Sequence, residues 1–174
     1  MQIKSIFIYC ATSAIFTSPL LLAQTQQVTV SASIAQMLVL TVDVASVPFA
    51  FTATDYSPTT GIAVKTDLKA TTFSVSANSN WKLSVQPGGP AFTFTPSGTQ
   101  VDPVKSASQL AVRSGTGAYV PLVPAGSLTV ITGNRGGTGT TGNSVPVDYQ
   151  MTSNLATDPP GSYLLTLTYT LASQ

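Results

Sequence analysis

The sequence contains no histidine and no glutamate, and its only acids are six aspartates: Asp43, Asp55, Asp67, Asp102, Asp148 and Asp158. Hydrolytic chemistry near neutral pH leans on histidine or on a carboxylate of raised pKa, and zinc sites draw on histidine and cysteine. Both repertoires are missing. The aspartates are also too scattered for the D-x-D spacing of a calcium loop, or for two carboxylates acting on one bond. The expectation is a protein that is not an enzyme, with no catalytic residue, no cofactor and no metal site.

Cysteine is nearly absent too: Cys10 is the only one. It lies in MQIKSIFIYCATSAIFTSPLLLA, where Lys4 precedes an apolar stretch and Ala23 precedes a polar run. That layout is expected of a signal peptide over residues 1–23, cleaved before Gln24. Pro19 and the scattered hydroxyls leave no run of about 18 apolar residues, so the segment does not read as a membrane anchor, and no span is expected after cleavage. Removal of Lys4 and Cys10 leaves six basic residues against six acidic ones and no cysteine. Such electrical balance gives no footprint for nucleic acid or for an anionic membrane surface. The expected location is outside the cytoplasm: extracellular, cell surface or periplasm. With no disulfide to staple it, the exported chain must be held by burial, and its length is enough for one good core.

What the sequence has in abundance is threonine, serine, valine, glycine and proline, arranged in short alternating runs. These are VTVSASI (28–34), MLVLTVDV (37–44), IAVKTDLK (62–69), TTFSVSA (71–77), WKLSVQ (81–86), AFTFT (91–95), QLAVRS (109–114), SLTVITG (127–133), VPVDYQM (145–151) and YLLTLTYTL (163–171). Turn-forming residues separate them, among them Asn78-Ser79-Asn80, Pro87-Gly88-Gly89-Pro90 and Asp158-Pro159-Pro160-Gly161. A helical period is absent, and about eight to ten short strands with such spacing predict an all-β antiparallel sandwich. The strands spread over residues 24–174, which therefore read as a single domain.

Individual features carry little chemistry. Gly137 to Gly142 matches G-x-G-x-x-G, but a strand-like run follows it instead of the helix a dinucleotide site requires, so it reads as a glycine-rich loop. Trp81 shares a face with Leu83 and Val85, which favours a core position over a sugar-stacking platform. Phe73, Val75 and Ala77 share another apolar face, with Phe92 and Phe94 as a similar pair. Lys65, Asp67 and Lys69 alternate on what reads as a solvated or edge surface. A second functional reading remains open, in which Trp81, Tyr119 or the end loops make the chain a small adhesin or carbohydrate-binding module.

The two ends carry more information. In the final run, Tyr163, Leu165, Leu167, Tyr169 and Leu171 line one face and Leu164, Thr166, Thr168 and Thr170 the other. Leu165, Leu167 and Tyr169 are expected in the core with Trp81, Leu83, Phe73 and Val75. At the other end, QTQQVTVSASI is a polar lead followed by Val28, Val30, Ala32 and Ile34 on one face. Together with PPGSYLLTLTYTL this layout resembles the spore-coat-U-like pilin domains of archaic chaperone–usher systems and related exported bacterial surface domains. That resemblance implies an Ig-like sandwich, a structural role in a pilus, surface layer or matrix fibre, self-association or pairing with other surface subunits, and a periplasmic chaperone as partner. It also implies that an N-terminal strand is donated to a neighbour, with Val28, Val30, Ala32 and Ile34 as the subunit interface. Residues 24–34 either serve in that way or pair within their own sandwich, which is the arrangement the sequence favours.

Overall fold

The computed structural model describes residues 29–136 and 143–174. The expected signal peptide and its cleavage point, Cys10, Val28 and the Gly137–Gly142 stretch lie outside them. The chain divides into two units, Met1–Ile34 and Ala35–Gln174. In the first, residues 29–34 have no regular secondary structure, and Val30 and Ile34 are 88% and 85% exposed. The strand expected over 28–34 is thus not formed in its described part, and the pairing of that strand within its own sandwich is not observed.

The second unit is the expected antiparallel β-sandwich. Its strands are β1 (Leu38–Val42), β2 (Ile62–Ala77), β3 (Trp81–Pro87), β4 (Thr93–Pro96), β5 (Leu110–Ser114), β6 (Val120–Pro121), β7 (Leu128–Gly133), β8 (Asn143–Asn154), β9 (Gly161–Leu164) and β10 (Leu167–Ser173). One sheet has the order β1-β2-β8-β5-β6 and a second the order β10-β3-β7, with β4 and β9 forming a two-stranded ribbon. Among the described residues no helix is long and apolar enough to cross a membrane.

Alternation in the sequence sets which side chains meet between the sheets. Phe73, Val75 and Ala77 of β2 face Trp81, Leu83 and Val85 of β3, joined by Val112, Val145, Val147 and Tyr149, and all are buried. Burying side chains of this size contributes about 1.5–3 kcal/mol each before entropy is counted. The β2–β3 turn lies at Asn78–Asn80, where the sequence places it. Gly133 stands opposite Trp81 in the β3–β7 register, and a Cβ there would collide with the indole ring. The close approach lets Trp81 lie flat across the neighbouring strand.

Three expectations need correction. The runs at 62–69 and 71–77 are one strand, β2, interrupted by a bulge between Asp67 and Thr71. Asp148 holds that bulge: it accepts from the Lys69 backbone N–H at 2.7 Å and from Arg113 Nε at 2.8 Å, and Lys69 takes a left-handed φ of 53°. The solvated face expected of Lys65, Asp67 and Lys69 is formed only at Lys69, which is exposed. Lys65 and Asp67 are half-buried, Lys65 pairs with Asp55 at 2.9 Å and lies over Phe51, and Ile62, Val64, Thr66 and Leu68 are exposed. The irregular segment around Phe49–Tyr56 covers the inner side of this half of β2, so the lysine stem packs there and the apolar alternates turn outward. Finally, the last run is broken at Leu165–Thr166 into β9 and β10, opposite the Gly88–Phe92 excursion between β3 and β4.

Candidate subunit interface

The sandwich is incompletely covered along one side, where β1 and β10 run at the margins of opposite sheets. β1 is hydrogen-bonded only to β2, and β10 only to β3. Each therefore presents a row of backbone groups with no ladder partner among the described residues. The strands are held together at one end by the β2–β3 turn. Asn78 N–H donates to Met37 O at 3.2 Å, and Gln174 N–H donates to Asn80 O at 2.9 Å. The Asn78 side chain accepts from Met37 N at 2.8 Å and donates to Ala35 O at 2.7 Å. This clamp fixes the point at which the chain leaves β1 toward its N-terminus.

Side chains along this margin point into the core without being enclosed by it. Leu38 and Leu40 of β1, and Leu167, Tyr169 and Leu171 of β10, pack against the buried cluster yet stay half-exposed, as does Leu165 before β10. Their counterparts one strand further in, Val75, Leu83 and Val85, are completely covered. The expected core position of Leu165, Leu167 and Tyr169 is corrected accordingly: the face is right, but the strand is an edge strand. Tyr169 anchors it. Its ring lies 4.3 Å from the Phe73 ring, its hydroxyl meets the Tyr149 hydroxyl at 2.7 Å, and burial together with Tyr149 pushes its phenol well above the ordinary value.

Neither edge carries the usual safeguards. LVLTV of β1 and LTYTLAS of β10 contain no charge and no proline, and their registers with β2 and β3 run without a bulge. β1 and β10 lie close to each other along this margin, and an unguarded edge beside half-covered apolar side chains can pair with one further strand, whose backbone bonds to that edge and whose alternate side chains pack on those residues. Val30, Ala32 and Ile34 are exposed and unstructured, so their alternating face is available.

The residues of the second functional reading are placed elsewhere. Trp81 is 2% exposed and donates Nε1–H to Asn134 O at 2.9 Å, so it offers no platform for a sugar. Tyr119 is half-buried, with the Arg113 guanidinium 4.3 Å above its ring centre and its hydroxyl enclosed without a hydrogen-bond partner. A crevice of about 100 Å³ adjoins it, lined by Val112, Arg113, Ala118, Val120, Leu128 and Val130. Arg113 is already committed to Asp148, and the covered ring face leaves little surface for stacking. Sequence reasoning missed a buried cluster altogether: Lys105 and Asp158 meet in the interior although they stand 53 residues apart. The only local signal was Asp158-Pro159-Pro160-Gly161, read as a turn.

No protein-family model matches the chain, and no curated protein matches it.

Proposed function

We propose that this chain is a non-enzymatic structural subunit of a bacterial surface fibre, exported from the cytoplasm and assembled by β-strand donation. The observation that carries this reading is the unguarded margin between β1 and β10, with Leu38, Leu40, Leu167, Tyr169 and Leu171 half-covered, in a chain whose own alternating N-terminal face stands exposed. Residues 24–34 of a neighbour span about 35 Å when extended, enough to run the length of a seven-residue edge. Val28, Val30 and Ile34 would fill the gaps between the inward side chains, and Ala32 would lie where less room remains. Until the neighbour arrives the margin needs temporary cover, which gives a periplasmic chaperone its role. The residue repertoire supports the non-enzymatic part, since histidine and glutamate are lacking throughout.

Deletion of residues 24–34, followed by size measurement and electron microscopy, tests this. The full exported chain should form polymers and the truncated chain monomers. A glycan array on the truncated monomer tests the adhesin reading, which gains only if binding is lost in Tyr119→Ala with the fold intact by circular dichroism.

A further inference from the structure

Lys105 is the one buried basic residue among the described residues. Its side chain is 3% exposed, and it touches Asp158, whose side chain is 8% exposed. Both partners lie just outside regular elements and are tied to the neighbouring chain through their backbone. Lys105 O accepts from Phe92 N at 2.8 Å just ahead of the 3-10 turn Ala107–Gln109, and Asp158 N donates to Asn154 O at 2.8 Å at the end of β8. The ammonium also donates to Thr152 O at 2.8 Å and lies 5.6 Å from the Tyr163 ring centre. Each carboxyl oxygen of Asp158 is engaged as well: Oδ2 accepts from Ser153 Oγ at 3.1 Å and from Asn154 N at 3.0 Å, and Oδ1 accepts from Thr157 Oγ1 at 3.2 Å. Ser153 Oγ stands 3.0 Å from the Tyr56 hydroxyl. An amine source is thus pressed against a carboxyl group whose oxygens are fixed by donors, in a place nearly free of water.

We propose that Lys105 and Asp158 form a self-reacting pair that closes after folding into an amide between Nζ and Cγ, releasing one water. The ammonium passes a proton to Asp158 Oδ2, a redistribution that burial favours because it removes two charges from a low dielectric. The Nζ lone pair then attacks Cγ, and the oxyanion on Oδ1 is met by the Thr157 hydroxyl. The Cγ–Oδ2 bond breaks, and Oδ2 leaves as water, taking one of the two protons still on Nζ, which it touches directly, while the other stays as the amide N–H. Atoms and charges balance with no oxidant, reductant or outside nucleophile.

Two opposing effects set the outcome. Burial raises the Asp158 carboxyl, but Lys105 and the Asn154 and Ser153 donors more than offset it, leaving the group below its ordinary value. The neutral pair is therefore the minor species, and closure is slow. One turnover per molecule suffices. Hydrolysis opposes amide formation in dilute solution, whereas groups fixed in contact act at effective concentrations on the order of 10⁵–10⁸ M, which moves the balance to the closed form. The amide would tie the segment ahead of β5 to the β8–β9 turn, the constraint a disulfide supplies in other exported proteins. Beyond Cys10 this chain has no cysteine to make one.

The test is the mass of the full exported chain measured under denaturing conditions, with a tryptic map. The expected mass is lighter than the sequence requires by one water molecule. Trypsin should fail to cut after Lys105, so peptides 83–113 and 136–174 should appear as one branched species. Lys105→Arg and Asp158→Ala should both restore the full mass, a reading that does not depend on how well either variant folds. An unmodified mass with a free peptide ending at Lys105 overturns the proposal. So does a deficit that survives Lys105→Arg, because the lost water then comes from elsewhere.

Discussion

The sandwich has two open sides, and they are built differently. On one, β6 and β7 lie at the margins of the two sheets. β6 is only two residues long and ends in Pro121, while β7 is broken by a register shift that leaves Val130 without a partner. Short edges, proline and bulges are devices that spoil pairing with another chain. On the other side, β1 and β10 are regular, five and seven residues long, and free of charge, proline and bulge. The contrast teaches that exposure of a sheet edge is not itself the signal. What distinguishes the β1–β10 margin is that nothing in the sequence has been placed to stop a strand from joining it.

Substitutions sharpen this contrast, beginning with the largest effect. Leu83→Ala removes a completely covered side chain and should cost about 2–5 kcal/mol in chemical denaturation. Leu167→Ala, on the half-covered edge, should cost the monomer about 1–2 kcal/mol. Within the polymer the Leu167 penalty should rise toward the Leu83 value, because the donated strand completes its burial. Equal costs in the monomer would mean that the margin is already closed.

Asp148 comes next, since it holds the β2 bulge and Arg113 together. Asp148→Ala should cost about 1–3 kcal/mol, as it leaves the Lys69 amide and the guanidinium without their acceptor. Burial raises this carboxyl, while the Lys69 N–H and Arg113 together hold it below the ordinary 3.8. A depressed folded value means that the stabilisation is fully present above about pH 4 and is lost as pH falls through the lower folded value. Denaturation midpoints should therefore be level near neutrality and drop in that acid window, with a smaller drop in Asp148→Asn.

Smaller still are two tyrosine changes. Tyr169→Phe strands the Tyr149 hydroxyl and should destabilise by about 1 kcal/mol. Tyr119→Phe removes a hydroxyl that has no partner, so it should be neutral or slightly stabilising. A clear loss in the second variant would reveal a bound group at the Arg113 crevice. The smallest effect on stability, but a decisive one on assembly, should come from lysine at the edges. Val39→Lys, at an outward position of β1, should abolish polymers, whereas Val120→Lys on the guarded side should leave them intact by electron microscopy.

Much of the fold was legible because strand alternation is local. Phe73, Val75 and Ala77, and Trp81, Leu83 and Val85, face inward as their spacing requires, and Asn78–Asn80 turns the chain between them. Position within the sheet was not legible. The pattern of Leu167 and Tyr169 suits a central strand as well as an edge, since alternation reports which face is apolar and says nothing of how many neighbours lie alongside. The inversion at Lys65 and Asp67 arises from the irregular segment around Phe51, whose packing has no period to read. Lys105 and Asp158 were hidden for a related reason: two sparse charges far apart in sequence meet only through the topology.

The most direct measurement of the central claim is hydrogen exchange on the unit Ala35–Gln174, with and without a peptide of residues 24–34. Donation predicts saturable binding and new protection confined to Leu38–Val42 and Leu167–Ser173, with Val120–Gly133 unchanged. No binding, or protection appearing at Val120–Gly133 instead, would contradict it.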